Sequence, residues 1–245
     1  YHSDAFVLRT YKLGERDQIV VFFTRDFGKI RAVARRSHSS RRPHASYYQP
    51  LMLLRAILFG RPSRSLFRVN SVDVAQTYRG LHEDFGALRS GLYLTELLDV
   101  TTREHEPVPE LFELFHATLD RLVVTPQSSL VLRQFELYLL MHIGYTPQFE
   151  YCARCDRDLP SQAGSSFSPR LGGLVCASCA SEVRPTLAVS SAAVAFLRRA
   201  LGGDEACWTA SDLDTAARQE LEDVLHAHLV SCLGRELKSY AFLHL

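Results

Sequence analysis

The stretch AFVLRTYKLGERDQIVVFFTRDFGKIRAVAR, residues 5–35, decides the fold of the N-terminal third. It holds three short runs, at 5–11, 18–24 and 29–35, each rich in β-branched and aromatic residues. Such side chains fit a pleated, half-buried surface, so the runs predict strands. Gly14-Glu15-Arg16-Asp17 and Arg25-Asp26-Phe27-Gly28 separate them, each with a glycine available for positive φ. Two more strands are predicted at 51–59 and 66–78, split by Gly60-Arg61-Pro62-Ser63. Five strands in about 80 residues predict a small closed barrel; the pattern alone suits an OB-fold or an SH3-like barrel.

After Gly80 the apolar period lengthens from two to about 3.6. Leu88, Leu92, Leu94, Leu97 and Leu98 share one helical repeat, and Leu111, Phe112, Phe115, Leu119 and Leu122 another. Pro107 and Pro109 open the second helix, where a missing N–H costs little. A third helix is expected over 126–143, stopped by Gly144 with Pro147 beyond. Two more are expected at 190–201 and 211–233, the last opened by Ser211-x-x-Asp214, a variant capping box. The expected organisation is α+β and multidomain. A barrel at 1–79 leads to a first helical part at 80–148, a cysteine module at 149–184 and a second helical part at 185–245.

The net charge of +1 conceals a segregation. Residues 1–79 carry 15 basic against 5 acidic side chains, and residues 80–151 carry 4 against 11. A basic head on an acidic remainder is the footprint of a nucleic-acid-binding domain attached to a body with other contacts. Lys29, Arg31, Arg35, Arg36, Arg41 and Arg42 are the candidate phosphate ligands, with Tyr47 and Tyr48 nearby to stack on unpaired bases. The composition is globular, at 47% apolar and 22% charged. No apolar run reaches the ~18–20 residues of a membrane span, and the first residues lack a secretion pattern. A cytoplasmic location is expected.

Cys152-x-x-Cys155 and Cys176-x-x-Cys179, with twenty residues between the pairs, have zinc-ligand spacing. Each pair sets two thiolates on one side of an ion, and the chain between must return the second pair to the other side. Ser166-Phe167-Ser168 and Leu174-Val175 can form strands around Gly172-Gly173 for that return. Four sulfurs would fill the sphere of one structural zinc ion and leave no position for substrate. Cys207 and Cys232 lack ligand spacing and read as small buried apolar residues. No G-x-x-x-x-G-K-[ST], H-E-x-x-H or G-x-S-x-G string occurs, so the expected activity is not enzymatic.

The ordered set of strings resembles the RecO family of DNA repair proteins over essentially the whole chain. The resemblance rests on Gly14-Glu15-x-Asp17, Thr24 with Phe27-Gly28-Lys29, Ala32-x-Ala34-Arg35 and Gln49-Pro50. It continues through Phe167-Ser168-Pro169, Gly172-Gly173, the paired cysteines and Leu237-Lys238-Ser239 with Phe242-Leu243. Arg36 departs from the family's usual glycine, and the basic loop here is longer. The resemblance implies an OB-fold head that binds single- and double-stranded DNA, anneals complementary strands without ATP and helps load RecA recombinase. It further implies RecR, a RecF-type protein and the acidic tail of single-strand-binding protein (SSB) as partners. Arg198, Arg199, Arg218, Arg235 and Lys238 are the cations in the C-terminal part for that tail. A zinc-ribbon RNA-binding or assembly factor would show the same barrel and charge, and a metal-dependent nuclease is a further alternative.

Overall fold

The structure is a computed structural model that describes residues 1–15, 17–35, 48–61, 66–125, 129–159, 165–209 and 213–244. Five strands, β1 (His2–Leu13), β2 (Asp17–Thr24), β3 (Gly28–Ala34), β4 (Leu53–Phe59) and β5 (Phe67–Gln76), close into a barrel of order β1-β2-β3-β5-β4. β1 is long enough to pair with two neighbours. Its first half runs antiparallel to β4 and its later part to β2, with a bulge between Val7 and Arg9 that bends it. The circuit closes through a short parallel contact of β3 with β5, Ala32 facing Phe67 and Val33 facing Arg68. This is the five-stranded OB-fold arrangement. Ala5, Val7, Val20, Phe22, Ile30, Ala32, Leu54, Leu58 and Phe67 fill the interior.

Strand alternation puts the next residues outside, and the helices cover part of that outer face. α1 (Arg79–Glu83), α2 (Phe85–Thr101) and α3 (Pro109–Val124) follow the barrel. Asp84 caps α2 by accepting from the Ala87 N–H at 2.7 Å, and Pro109 stands in the first turn of α3. Phe6 and Phe23 point out of the barrel onto Phe112 and Phe115 of α3, with ring centroids 4.8–5.8 Å apart. The C-terminal residues return to α2. Glu96 accepts the N–H groups of Lys238 (3.1 Å) and Ser239 (2.7 Å), and Arg89 Nη1 donates to Phe242 O at 2.8 Å.

The chain forms two compact units, Tyr1–Gln127 with Leu237–Leu245, and Ser128–Glu236. The second unit contains α4 (Ser129–His142), a three-stranded antiparallel sheet of β6 (Ser165–Ser168), β7 (Gly173–Val175) and β8 (Leu187–Val189), and the short α5 (Ala177–Ala180). It is completed by α6 (Ser191–Leu201) and α7 (Thr215–Leu233). The strands expected around Gly172-Gly173 are present, with Phe167 opposite Leu174. The expected start of the last helix is corrected. Ser211 lies outside the described residues, and the cap is Asp214, whose carboxylate accepts from Ala217 N–H at 2.7 Å. Cys207 is buried, as expected, whereas Cys232 is only half-buried and lines a cleft with His228 and Tyr145.

Candidate metal centre and nucleic-acid face

Two tight turns bring the four cysteines together. In the first, Cys152 N–H donates to Arg157 O (2.8 Å), Asp156 N–H donates to Cys152 O (2.9 Å), and Tyr151 bridges to Asp158. The second follows β7 directly. Cys176 is the N-cap of α5, and Cys179 N–H donates back to Cys176 O at 3.0 Å. Ala153 N–H donates to Leu174 O at 2.7 Å and laces the first turn to β7. All four Sγ atoms thereby lie within 4.8 Å of one another, those of Cys155 and Cys176 at 3.9 Å. A tetrahedral ion with Zn–S bonds of ~2.3 Å requires sulfur separations of ~3.8 Å.

The donor chemistry fits a cation. Ser178 Oγ, 3.1 Å from Cys176 Sγ, helps hold that thiol down to about 6, together with the N–H of Cys179. Burial pushes Cys152 up, but the N–H groups of Cys176, Arg154 and Cys155 outweigh it and leave the thiol below its ordinary value. Cys179, hydrogen-bonded to the sulfur of Cys176, is pushed up to about 12. Neighbouring thiolates repel, and a divalent ion removes that conflict. Cys152, Cys155, Cys176 and Cys179 can therefore hold a metal ion. The module is tied into its unit by Phe149 stacked on Phe167 at 5.7 Å and by Arg198, which donates to Phe149 O (2.7 Å) and Leu159 O (3.0 Å).

The barrel's cations differ in their partners. Towards the helices its cations meet carboxylates: Arg9 lies 2.9 Å and Lys29 3.3 Å from Asp99, Arg25 lies 2.6 Å from Glu113, and Arg31 pairs with Glu104. Lys29 is 12% exposed and Asp99 8%, so Lys29 is held in a largely buried pair. Arg31 keeps half of its side chain exposed, and Arg35 at the end of β3 is exposed. Arg36, Arg41, Arg42 and Tyr47 lie outside the described residues. Tyr48 is a correction to the stacking expectation. It is 7% exposed within the barrel core, and burial pushes its hydroxyl up to about 12.

The five C-terminal cations are dispersed in role. Arg198 serves the cysteine module, Arg199 pairs with Asp204 at 2.7 Å, and Arg218 Nε donates to Leu213 O at 3.0 Å. Arg235 and Lys238 are exposed, the first in the second unit and the other in the first. Sequence reading missed the acidic partners Asp99, Glu104 and Glu113. The negative charge of residues 80–151 was a signal for them, but which cation each would meet was not in the pattern.

Residues 1–78 match the family model described as Recombination protein O N terminal, and residues 82–241 match Recombination protein O C terminal. The chain belongs to the RecO family. It is 35% identical over 237 residues to the DNA repair protein RecO of Anaeromyxobacter sp. (strain K), covering 97% of this chain and 93% of that one. Its similarity to the RecO of Myxococcus xanthus is 32% over 243 residues, with 99% and 96% covered. The RecO of Symbiobacterium thermophilum is 32% identical over 250 residues, again covering 99% and 96%. RecO membership places this chain among DNA repair proteins. Among the described residues, no helix is long and apolar enough to cross a membrane.

Proposed function

We propose that this chain is a non-enzymatic recombination mediator. Its barrel binds single- and double-stranded DNA, pairs complementary strands without ATP, and helps load RecA on SSB-coated DNA in the bacterial cytoplasm, at the nucleoid. The supporting observation is the asymmetry of the barrel's charge. Arg9, Arg25, Lys29 and Arg31 meet carboxylates of the helices, whereas Arg35 is exposed and leads into Arg36, Arg41 and Arg42. Cations not engaged by carboxylates neutralise phosphates and lower the repulsion a second strand meets. Lys29, within its pair, positions β3 rather than contacting DNA.

Cys152, Cys155, Cys176 and Cys179 would hold one zinc ion. The ion would supply a structural cross-link between the two turns. RecR, a RecF-type protein and the acidic tail of SSB are the partners that family membership supports. The tail is assigned to cations among Arg198, Arg199, Arg218, Arg235 and Lys238. Tail affinity unchanged by alanine at each of these five positions would overturn that assignment. The mediator reading is tested by mixing two complementary, SSB-coated strands with the protein, without ATP, with and without magnesium. Faster duplex formation from intact strands is expected. Strands that never pair contradict annealing, and shortened strands reveal a nuclease.

A further inference from the structure

The strand register carries one row of residues across all five strands of the barrel. Tyr11 on β1 faces Ile19 on β2, Ile19 faces Val33 on β3, Val33 faces Arg68 on β5, and Arg68 faces Phe59 on β4. Residues directly opposite in a sheet project on the same side. Their neighbours along the strands, Val20, Ala32, Phe67 and Leu58, belong to the interior, so this row lies on the outside. Its ends are aromatic and open. Tyr11 is 43% exposed, and Phe59, at 76%, is the most exposed large aromatic among the described residues. Ile19 and Val33 between them are half-buried, and Arg68 is exposed.

The Tyr11 ring is also oriented. The Arg9 guanidinium stands 5.0 Å from its centroid and is itself held by Asp99 at 2.9 Å. One ring face is thus covered by a fixed cation, which leaves the other for a flat partner. Lys12, Arg35 and Arg61 near the row are exposed. A duplex hides its base faces and offers phosphates, whereas unpaired bases stack on aromatic side chains. Four steps of ~4.8 Å between strands make the row ~19 Å long. That is about six nucleotides at the ~3.4 Å rise of a stacked strand, within the ~4–16 that one OB barrel covers.

We propose that Tyr11 and Phe59 are base-stacking residues that bracket a single DNA strand laid across the barrel, with Arg68 on the phosphates between them. This row selects single strands over duplex. The proposal rests on the DNA-binding reading above, and its test separates the two. Affinities of the full chain for a short oligothymidylate and for a duplex of equal length are measured by fluorescence anisotropy. Tyr11→Ala and Phe59→Ala should each weaken oligothymidylate binding roughly tenfold and leave duplex binding within about twofold. Tyr11→Phe and Phe59→Trp should retain the single-strand affinity, because the ring remains. Phe59→Leu, which keeps apolar bulk without the ring, should lose as much as Phe59→Ala. Unchanged single-strand affinity in the alanine variants, equal loss on both DNAs, or full retention by Phe59→Leu overturns the stacking row. Arg35→Ala should weaken both DNAs. If it alters neither while the aromatic variants behave as stated, the row stands and the arginine assignment falls.

Discussion

A Cβ placed on Gly28 would lie 2.3 Å from the carbonyl oxygen of Glu106, and the residue already has φ 69°. Thr24 Oγ1 donates to Gly28 O at 2.7 Å and receives the Phe27 N–H at 3.1 Å, so this turn cannot relax locally. Gly28→Ala should therefore cost at least the ~1–2 kcal/mol of left-handed backbone, more once residues 104–106 are displaced. An unchanged urea midpoint would contradict this. The turn itself was legible, since glycine before an apolar run marks one. The approach of Glu106 was not, because no local pattern records a neighbour so far along the chain. The same holds for Lys29, which reads as one cation of a basic run but is joined to Asp99. Asp99→Ala leaves a mostly buried ammonium without its carboxylate and should destabilise the protein by about 3 kcal/mol. Lys29→Ala should reduce DNA affinity less than Arg35→Ala does. Equal losses would return Lys29 to the DNA face.

Among the elements, the cysteine turns were the most legible, because tetrahedral geometry fixes ligand spacing within each pair and demands a return between pairs. β6 and β7 supply that return, and their pairing places the second turn beside the first. The purified protein should contain one zinc per chain. Cys176→Ser or chelation should lower its thermal midpoint, since structural zinc contributes on the order of 10 kcal/mol to folding such modules. Metal analysis finding no bound ion would contradict the assignment. The contact of α4 with α7 was less legible. There Arg133, buried on α4, bonds Glu136 at 2.7 Å and Glu222 of α7 at 3.3 Å. An apolar repeat predicts that such helices pack but not that charges lie between them. His226 of α7 borders this group. Burial, opposed by Glu236 and assisted by Arg133, holds its imidazole below the ordinary value. The unfolded chain then takes up a proton more readily than the folded one. This contribution to stability is present above about pH 6.5 and is lost as pH falls through the folded value. The urea midpoint should fall on mild acidification, and His226→Gln should lessen that fall. An unaltered pH dependence in the variant would assign it elsewhere.

For the whole molecule, the segregation of charge reads differently once the pairs are known. Part of the acidic stretch exists to meet the barrel, through Asp99, Glu104 and Glu113. That matching offsets the charge of the cations beside the helices, while Arg35 stays exposed. The OB-fold was legible as five strands. Its β1-β2-β3-β5-β4 circuit was not, because the parallel β3–β5 contact joins distant segments over two residue pairs. The most direct test of the account is the salt dependence of single-strand affinity for the natural chain and for a variant with Arg35, Arg36, Arg41 and Arg42 all changed to Ala. A linear log–log plot is expected, with a slope of about −0.7 per phosphate contacted. The variant should bind more weakly at every salt concentration, with a slope flatter by up to about 3. Equal affinity and an equal slope would contradict this reading and move the DNA site away from these four arginines.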